Sequence, residues 1–179
     1  MACITKLANA IAYDCDSGAT GLVSAIIINK ADIASFSVDG ATMVVSGLTL
    51  AARARAYKID TVKRSLVLSS ALKVNDGAPN AYSHSATVVS TEVLTNNGRH
   101  SMSAFTNGSF VIIAKGPSVA PPRVYGLYYG MSATAVDNNT HENGNWTTIT
   151  LETPENVIGE DVIAMSDADY AAMYKAAVG

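Results

Sequence analysis

Three histidines, two cysteines and one short run of acids and asparagines are the parts of this 179-residue chain whose chemistry could make a site. His84, His100 and His141 show no paired zinc-ligand spacing; two fall in polar turns and one near a helix start, where exposed histidines are expected. Cys3 and Cys15 lack a four-ligand zinc pattern and a Cys-x-x-Cys redox motif. They read as two ordinary thiols of a reducing cytosol, with a disulfide or a shared metal as the other reading. Asp137-Asn138-Asn139-Thr140-His141-Glu142 supplies oxygen donors but not the acid spacing, central glycine and closing glutamate of a calcium loop. A Gly-x-Ser-x-Gly elbow and a Walker-type phosphate loop are both missing, and the glycines fall at turns. The expectation is a protein without enzyme activity, metal or cofactor. An enzyme would need a buried carboxylate or histidine with a strongly shifted pKa in a cleft.

Tyr125, Tyr128 and Tyr129 could stack on sugars or bases, but only Arg123 lies beside them, so packing across a sheet is the favoured reading. Asn107-Gly108-Ser109, Asn138-Asn139-Thr140 and Asn145-Trp146-Thr147 fit the glycosylation pattern and, with no export signal, read as polar turns. A net charge of -3 argues against a sequence-independent nucleic-acid binder. The charge is uneven. Acids dominate from Glu152 onward, whereas Arg53, Arg55, Lys58, Lys63 and Arg64 make the middle basic. Such patches either meet across a self-assembly interface or are solvated surface. Runs long and apolar enough to cross a membrane are absent, and the N-terminus makes a poor signal peptide.

The elements that must position these residues are mostly short strands. A length of 179 residues is enough for one core without staples. Residues 1–20 read as an N-terminal arm, 21–155 as a β domain and 156–179 as an acidic segment ending in a helix. Gly21–Asn29 is a buried strand, Ala31–Asp39 a connector closing on an Asp39-Gly40 turn, and Ala41–Leu50 a second strand with a bend at Gly47. Arg53–Ile59 alternates as a half-wet strand, followed by Arg64–Val74 and Ser85–Val93. Between these last two lies the strongest turn cluster, Asn75-Asp76-Gly77-Ala78-Pro79-Asn80, which with Ala81-Tyr82-Ser83-His84 makes a long polar tip. Met102 and Phe105 suggest a short helix over Arg99–Thr106, stopped by Asn107-Gly108. Ser166-Asp167-Ala168-Asp169 is a capping box opening a helix whose stripe is Tyr170, Met173, Tyr174 and Ala177.

Ser109–Glu155 contains the apolar strand Phe110–Ala114, then Arg123-Val124-Tyr125-Gly126-Leu127-Tyr128-Tyr129-Gly130-Met131, a polar turn region, and Trp146-Thr147-Thr148-Ile149-Thr150-Leu151-Glu152. This order resembles the end of phage tail tube proteins, especially those of tailed phages of Bacteroidetes hosts. The aromatic-Gly-Leu-x-x-Gly-aliphatic signature falls on Tyr125, Gly126, Leu127, Gly130 and Met131. The match covers roughly Ser85–Glu155, more loosely from Gly21 onward; the arm and the acidic helix fit no family pattern. The resemblance implies a mainly β fold, an antiparallel sandwich or barrel of tail-tube type with one internal and one C-terminal helix. It implies a virion protein assembled in the host cytoplasm: hexameric rings stacked around a channel for DNA ejection. Its partners would be itself and the tape measure, tail tip and terminator proteins, with DNA passing unbound and no membrane involved. Asn75, Asp76, Gly77, Pro79, Asn80, Tyr82 and His84 would belong to a hairpin reaching the adjacent ring. The other reading is a capsid decoration or fibre-like β-protein that binds a glycan or host surface.

Overall fold

Two isoleucine- and valine-rich runs pair to form the centre of the molecule. In the computed structural model the described residues are 21–59, 61, 65–90, 103–117, 119–138 and 147–178. β1 (Ser24–Asn29) lies antiparallel to β7 (Ser109–Lys115), from Ser24 opposite Lys115 to Asn29 opposite Phe110. Both are apolar on successive residues because both of their faces are covered. Ala25, Ile27, Phe110, Ile112 and Ala114 enter one core, while Ile26, Ile28, Val111 and Ile113 enter a second on the opposite side.

The remaining strands supply the two covers. They are β2 (Ile33–Asp39), β3 (Val44–Leu50), β4 (Tyr57–Ile59), β5 (Leu66–Lys73), β6 (Ala81–Ser90), β8 (Arg123–Tyr125), β9 (Met131–Asn138), β10 (Thr147–Glu152) and β11 (Ile163–Met165). Their order is β2-β3-β11-β8-β7-β9-β10-β6-β5, with β1 bonded to β7 and β4. One edge of β7 is shared: β8 takes Ile112–Ala114 and β9 takes Ser109 and Phe110. The chain thus passes from one half-sheet to the other through residues 126–130. The half β9-β10-β6-β5 covers the first core with Met131, Ile149, Leu151, Ala86, Val88 and Leu66. The half β8-β11-β3-β2, with helix α2 (Asp167–Ala176), covers the second. The sheet does not close on itself, so the fold is a mainly β sandwich; among the described residues every strand-to-strand pairing is antiparallel except β11 with β3.

Several sequence expectations hold. Gly47 has φ +59 at a register shift between β2 and β3, the expected bend. Residues 103–107 are helical and Gly108 ends them, with its N–H donating to Ala104 O; the proposed helix start at 99–102 lies outside the described residues. A Cβ on Gly108 would stand 2.5 Å from the Phe110 ring, so glycine is required for that close turn. Ser166 caps α2 by accepting the Asp169 N–H at 3.1 Å, and its hydroxyl donates to the Asp169 carboxylate at 2.8 Å. Tyr170 and Ala177 of the predicted stripe are buried, and Met173 and Tyr174 pack beside them. Ser166→Ala is expected to cost about 1 kcal/mol, read as a lower denaturant midpoint at unchanged slope; an unmoved midpoint would refute the cap's contribution.

Other expectations are corrected. Ala31–Asp39 is not a connector: Ile33–Asp39 is β2, and Ala34, Phe36 and Val38 alternate along it with Ser35, Ser37 and Asp39, a strand period that the connector reading passed over. The alternating Arg53–Ile59 is a strand only from Tyr57; Arg53 sits at φ +70 as the third residue of a tight turn in which the Ala54 N–H reaches Ala51 O. The polar region after Met131 is largely β9, exposed over its far half and therefore poor in apolar residues. The tail contributes β11, wedged between β3 and β8, as well as its helix. Three residues are too few to show a period. No helix among the described residues is long and apolar enough to cross a membrane.

Candidate functional site

The signature residues form the turn where the sheet divides. Tyr125 ends β8 and packs edge-on to His84, with ring centroids 5.5 Å apart. Gly126 and Gly130 adopt φ +77 and +73, and the Gly130 N–H closes the turn onto Gly126 O at 2.9 Å. A side chain at Gly130 would collide with Ser109 Oγ, 2.0 Å from where its Cβ would stand. Leu127 and Met131 are wholly buried, in different cores. Tyr128 packs edge-on to Phe36 at 5.4 Å, and Lys30 lies over that Phe36 ring. Tyr125 and Tyr128 are thus packing residues, but the run Arg123–Met131 is not one strand: β8 ends at Tyr125, and Tyr128 packs from the turn.

The turn encloses a carboxylate that sequence reasoning missed. Glu160 is fully buried; its Oε2 accepts the Tyr128 N–H at 3.1 Å, while Oε1 has no well-formed partner. Burial pushes its pKa up to about 7, against the pull of the Tyr128, Leu127 and Tyr129 amides and of the Lys30 charge. Its backbone also pairs with Tyr82 in both directions. One residue therefore ties the signature turn to the β5–β6 hairpin. One of two adjacent acids in Gly159-Glu160-Asp161 looks like surface in a sequence; only the fold encloses it.

His84 corrects a second expectation. It is buried in β6 rather than exposed in a turn. Ser70 Oγ lies 2.8 Å from His84 Nδ1, the His84 backbone N–H donates to Thr153 Oγ1 at 3.0 Å, and Nε2 has no well-formed hydrogen bond. Burial lowers its pKa to about 4, against the opposing effect of the Asp161 backbone. These two shifted groups do not line the groove of about 170 Å³ beside α2, which is bordered by Val45, Leu48, Met165 and Met173. No group of three or more metal-ligating side chains occurs among the described residues. His100, His141, Cys3 and Cys15 lie outside them.

The hairpin residues divide between tip and body. Asp76, Gly77, Pro79 and Asn80 are exposed, with Gly77 at φ +77. Asn75 braces the turn: its amide donates to Pro79 O and Ile158 O, and its N–H to Asn80 Oδ1. Tyr82 and His84 belong to β6 and face inward attachments. Around the tip Leu72, Val74 and Ile158 are 61%, 69% and 47% exposed, an uncovered apolar cluster beside a polar turn. Part of the basic middle meets the acidic tail within the chain, since Lys58 lies over the Tyr174 ring and Tyr57 bridges to Val178.

The outward face of β9-β10-β6-β5 is small and hydroxylic. Alternation turns Val67, Ser69 and Ala71 outward on β5, Ser83, Ser85 and Thr87 on β6, Thr148 and Thr150 on β10, and Ala135 on β9. Ser69 and Ser85 hydroxyls bond to each other at 2.7 Å. Among the described residues Glu152 and Asp137 are its acids, and its cation, Lys73, donates to Glu155 O and Val157 O. Comparison with family models, with curated proteins and with solved structures returned no match.

Proposed function

We propose that this chain is the major tail tube subunit of a long-tailed phage, assembling with itself into stacked hexameric rings around a channel for DNA. The observation that carries the reading is the hydroxyl-lined face, four strands wide, whose single lysine among the described residues is occupied by backbone carbonyls. A conduit must pass a polyanion without holding it. Free lysines and arginines would bind phosphates and release counterions, and stacking aromatics would hold unpaired bases. Serine, threonine and alanine offer only short groups that exchange readily with water. The exposed hairpin end, with Leu72, Val74 and Ile158 around the Asn75–Asn80 turn, supports a contact to an adjacent ring. In this role the partners are further copies, then tape measure, tail tip and terminator proteins.

Negative-stain electron microscopy at rising protein concentration, beside light scattering, tests the reading. Stacked rings or tubes with a central channel are expected, first in the purified protein and otherwise on added tail-tip complexes. A stable trimer that never stacks would replace the tube with a decoration or fibre protein. A subunit that stays monomeric on tail-tip complexes would overturn both.

A further inference from the structure

The half-sheet β9-β10-β6-β5 is open at both ends. β5 pairs with β6 through eight consecutive partners without a register shift, and among the described residues no strand pairs with its other edge. It contains no proline, and Val67 is 49% exposed. The Val89 N–H donates to Ser65 O, so Ser65 faces β6, and alternation aims the amide and carbonyl of Leu66 away from it, to the open edge. At the other end β9 meets β7 only at Met131 and Ser132, which leaves 133–138 unpaired on that side among the described residues. The Thr153 N–H donates to His84 O, which by the same alternation pairs Ile149 with β6 and turns the backbone groups of Val136 to the open edge. Exposed, regular edges are what chains ordinarily avoid. Of the other ends of the sheet, β4 is bridged on its outer side by Val178, and β2 has two register shifts and the polar Ser35, Ser37 and Asp39, the features that discourage pairing.

The two open edges match each other. Leu66, Val88, Ile149 and Val136 form one row across the four strands. Both ends of that row aim their backbone groups outward. Its side chains are apolar and buried up to Val136, which is left 43% exposed. Three successive antiparallel pairings also make β5 and β9 run in opposite directions. A copy placed alongside in the same orientation therefore meets β5 with an antiparallel β9, with the hydrogen-bonding parity already correct.

We infer that β5 of one copy adds to the free half of β9 in the next, head to tail, so that the partner at each edge is a second copy of this chain. This rests on the reading of the protein as a self-assembling wall and names its lateral joint. The contact is heterologous: each copy uses one edge to give and the other to receive, which generates a ring when the rotation closes. The joint extends the half-sheet from copy to copy, covers Val136, and makes the hydroxyl faces continuous.

Cross-linking between two singly labelled pools tests it. Val67 and Ala135 stand in the row beside the joint, on the outward face. With Cys3 and Cys15 replaced by serine, Val67→Cys and Ala135→Cys subunits are assembled separately and mixed, then treated with a short bis-maleimide. Its reach of about 8–10 Å tolerates a stagger of one side-chain repeat, about 7 Å. Covalent dimers are expected in the mixture, at least about tenfold above either pool alone. Dimers from Val67→Cys alone would mean that β5 pairs with itself, which overturns the inference. Rings in the microscope without cross-links would overturn the joint and leave the tube reading standing. Cross-linked species that never form rings would support the joint and overturn the tube.

Discussion

In a Glu160→Gln variant the unfolding free energy is expected to fall by on the order of 3 kcal/mol as pH drops from about 6.5 to about 4, while His84→Gln should fall by a similar amount as pH rises from about 4.5 to about 7. The parent should stay nearly flat over the shared part of that range. Burial lowers His84 from 6.5 to about 4 and raises Glu160 from 4.5 to about 7, so each charged form is disfavoured in the fold by a similar amount. For His84 the unfolded chain binds more protons between these values, and stability is lost as pH falls. For Glu160 the folded chain binds more, and stability is lost as pH rises. The two slopes cancel between about 4.5 and 6.5, and removing either group unmasks the other. Groups that also face the pair are Lys30, Tyr128 and Asp161, and they remain in every variant. Asp39, held below its usual value by the Ala41 N–H and Thr42, titrates alike in all three proteins and drops out of the differences. Urea titrations of the unassembled subunits at stepped pH provide the measurement. Single variants as flat as the parent would mean that neither group is enclosed as described.

Val136→Pro should abolish ring and tube formation while the subunit keeps its stability to within about 1 kcal/mol. Proline removes an N–H donor, and in a strand interior that breaks the ladder. At Val136 the N–H is directed to the open side, because its neighbours Ala135 and Asp137 make the bonds to Thr150 and Thr148. The domain therefore loses no hydrogen bond of its own, and the preceding alanine already has the extended backbone that proline requires. An incoming β5 loses its acceptor's partner and meets a ring in its path. Val136→Thr, which keeps the donor and the branched shape, should still assemble. Tubes of normal yield from the proline variant would place the lateral contact elsewhere, whereas a large drop in subunit stability would show that the amide is used within the fold.

Much of the architecture was legible from residue order. Ile26-Ile27-Ile28 and Val111-Ile112-Ile113 announce strands covered on both faces, since an unbroken run of branched apolar residues is costly anywhere else. Ser166 and Asp169 define a helix start, because a hydroxyl and a carboxylate three residues apart satisfy amides that the helix leaves free. Asn107-Gly108 and Asn75–Asn80 mark turns through local backbone preference, which needs no distant partner. Local rules also mislead in definite ways. Arg53-Ala54-Arg55-Ala56 alternates like a strand but is bent by a left-handed arginine, whereas Ala34–Asp39 alternates as well and is a strand.

Residue order alone marked the strand-rich class, the two unbroken apolar runs and the capped terminal helix, because each is a pattern of side chains within a few residues. Tertiary structure decided which polar groups are enclosed and which edges are left open. Glu160 and His84 are separated by 75 intervening residues and become interior only when the C-terminal segment closes on the signature turn and the hairpin. β5 and β9 look like any other strands in sequence. Their open edges arise from the order in which strands pair, and that order is set by long-range packing on β1 and β7 rather than by local preference.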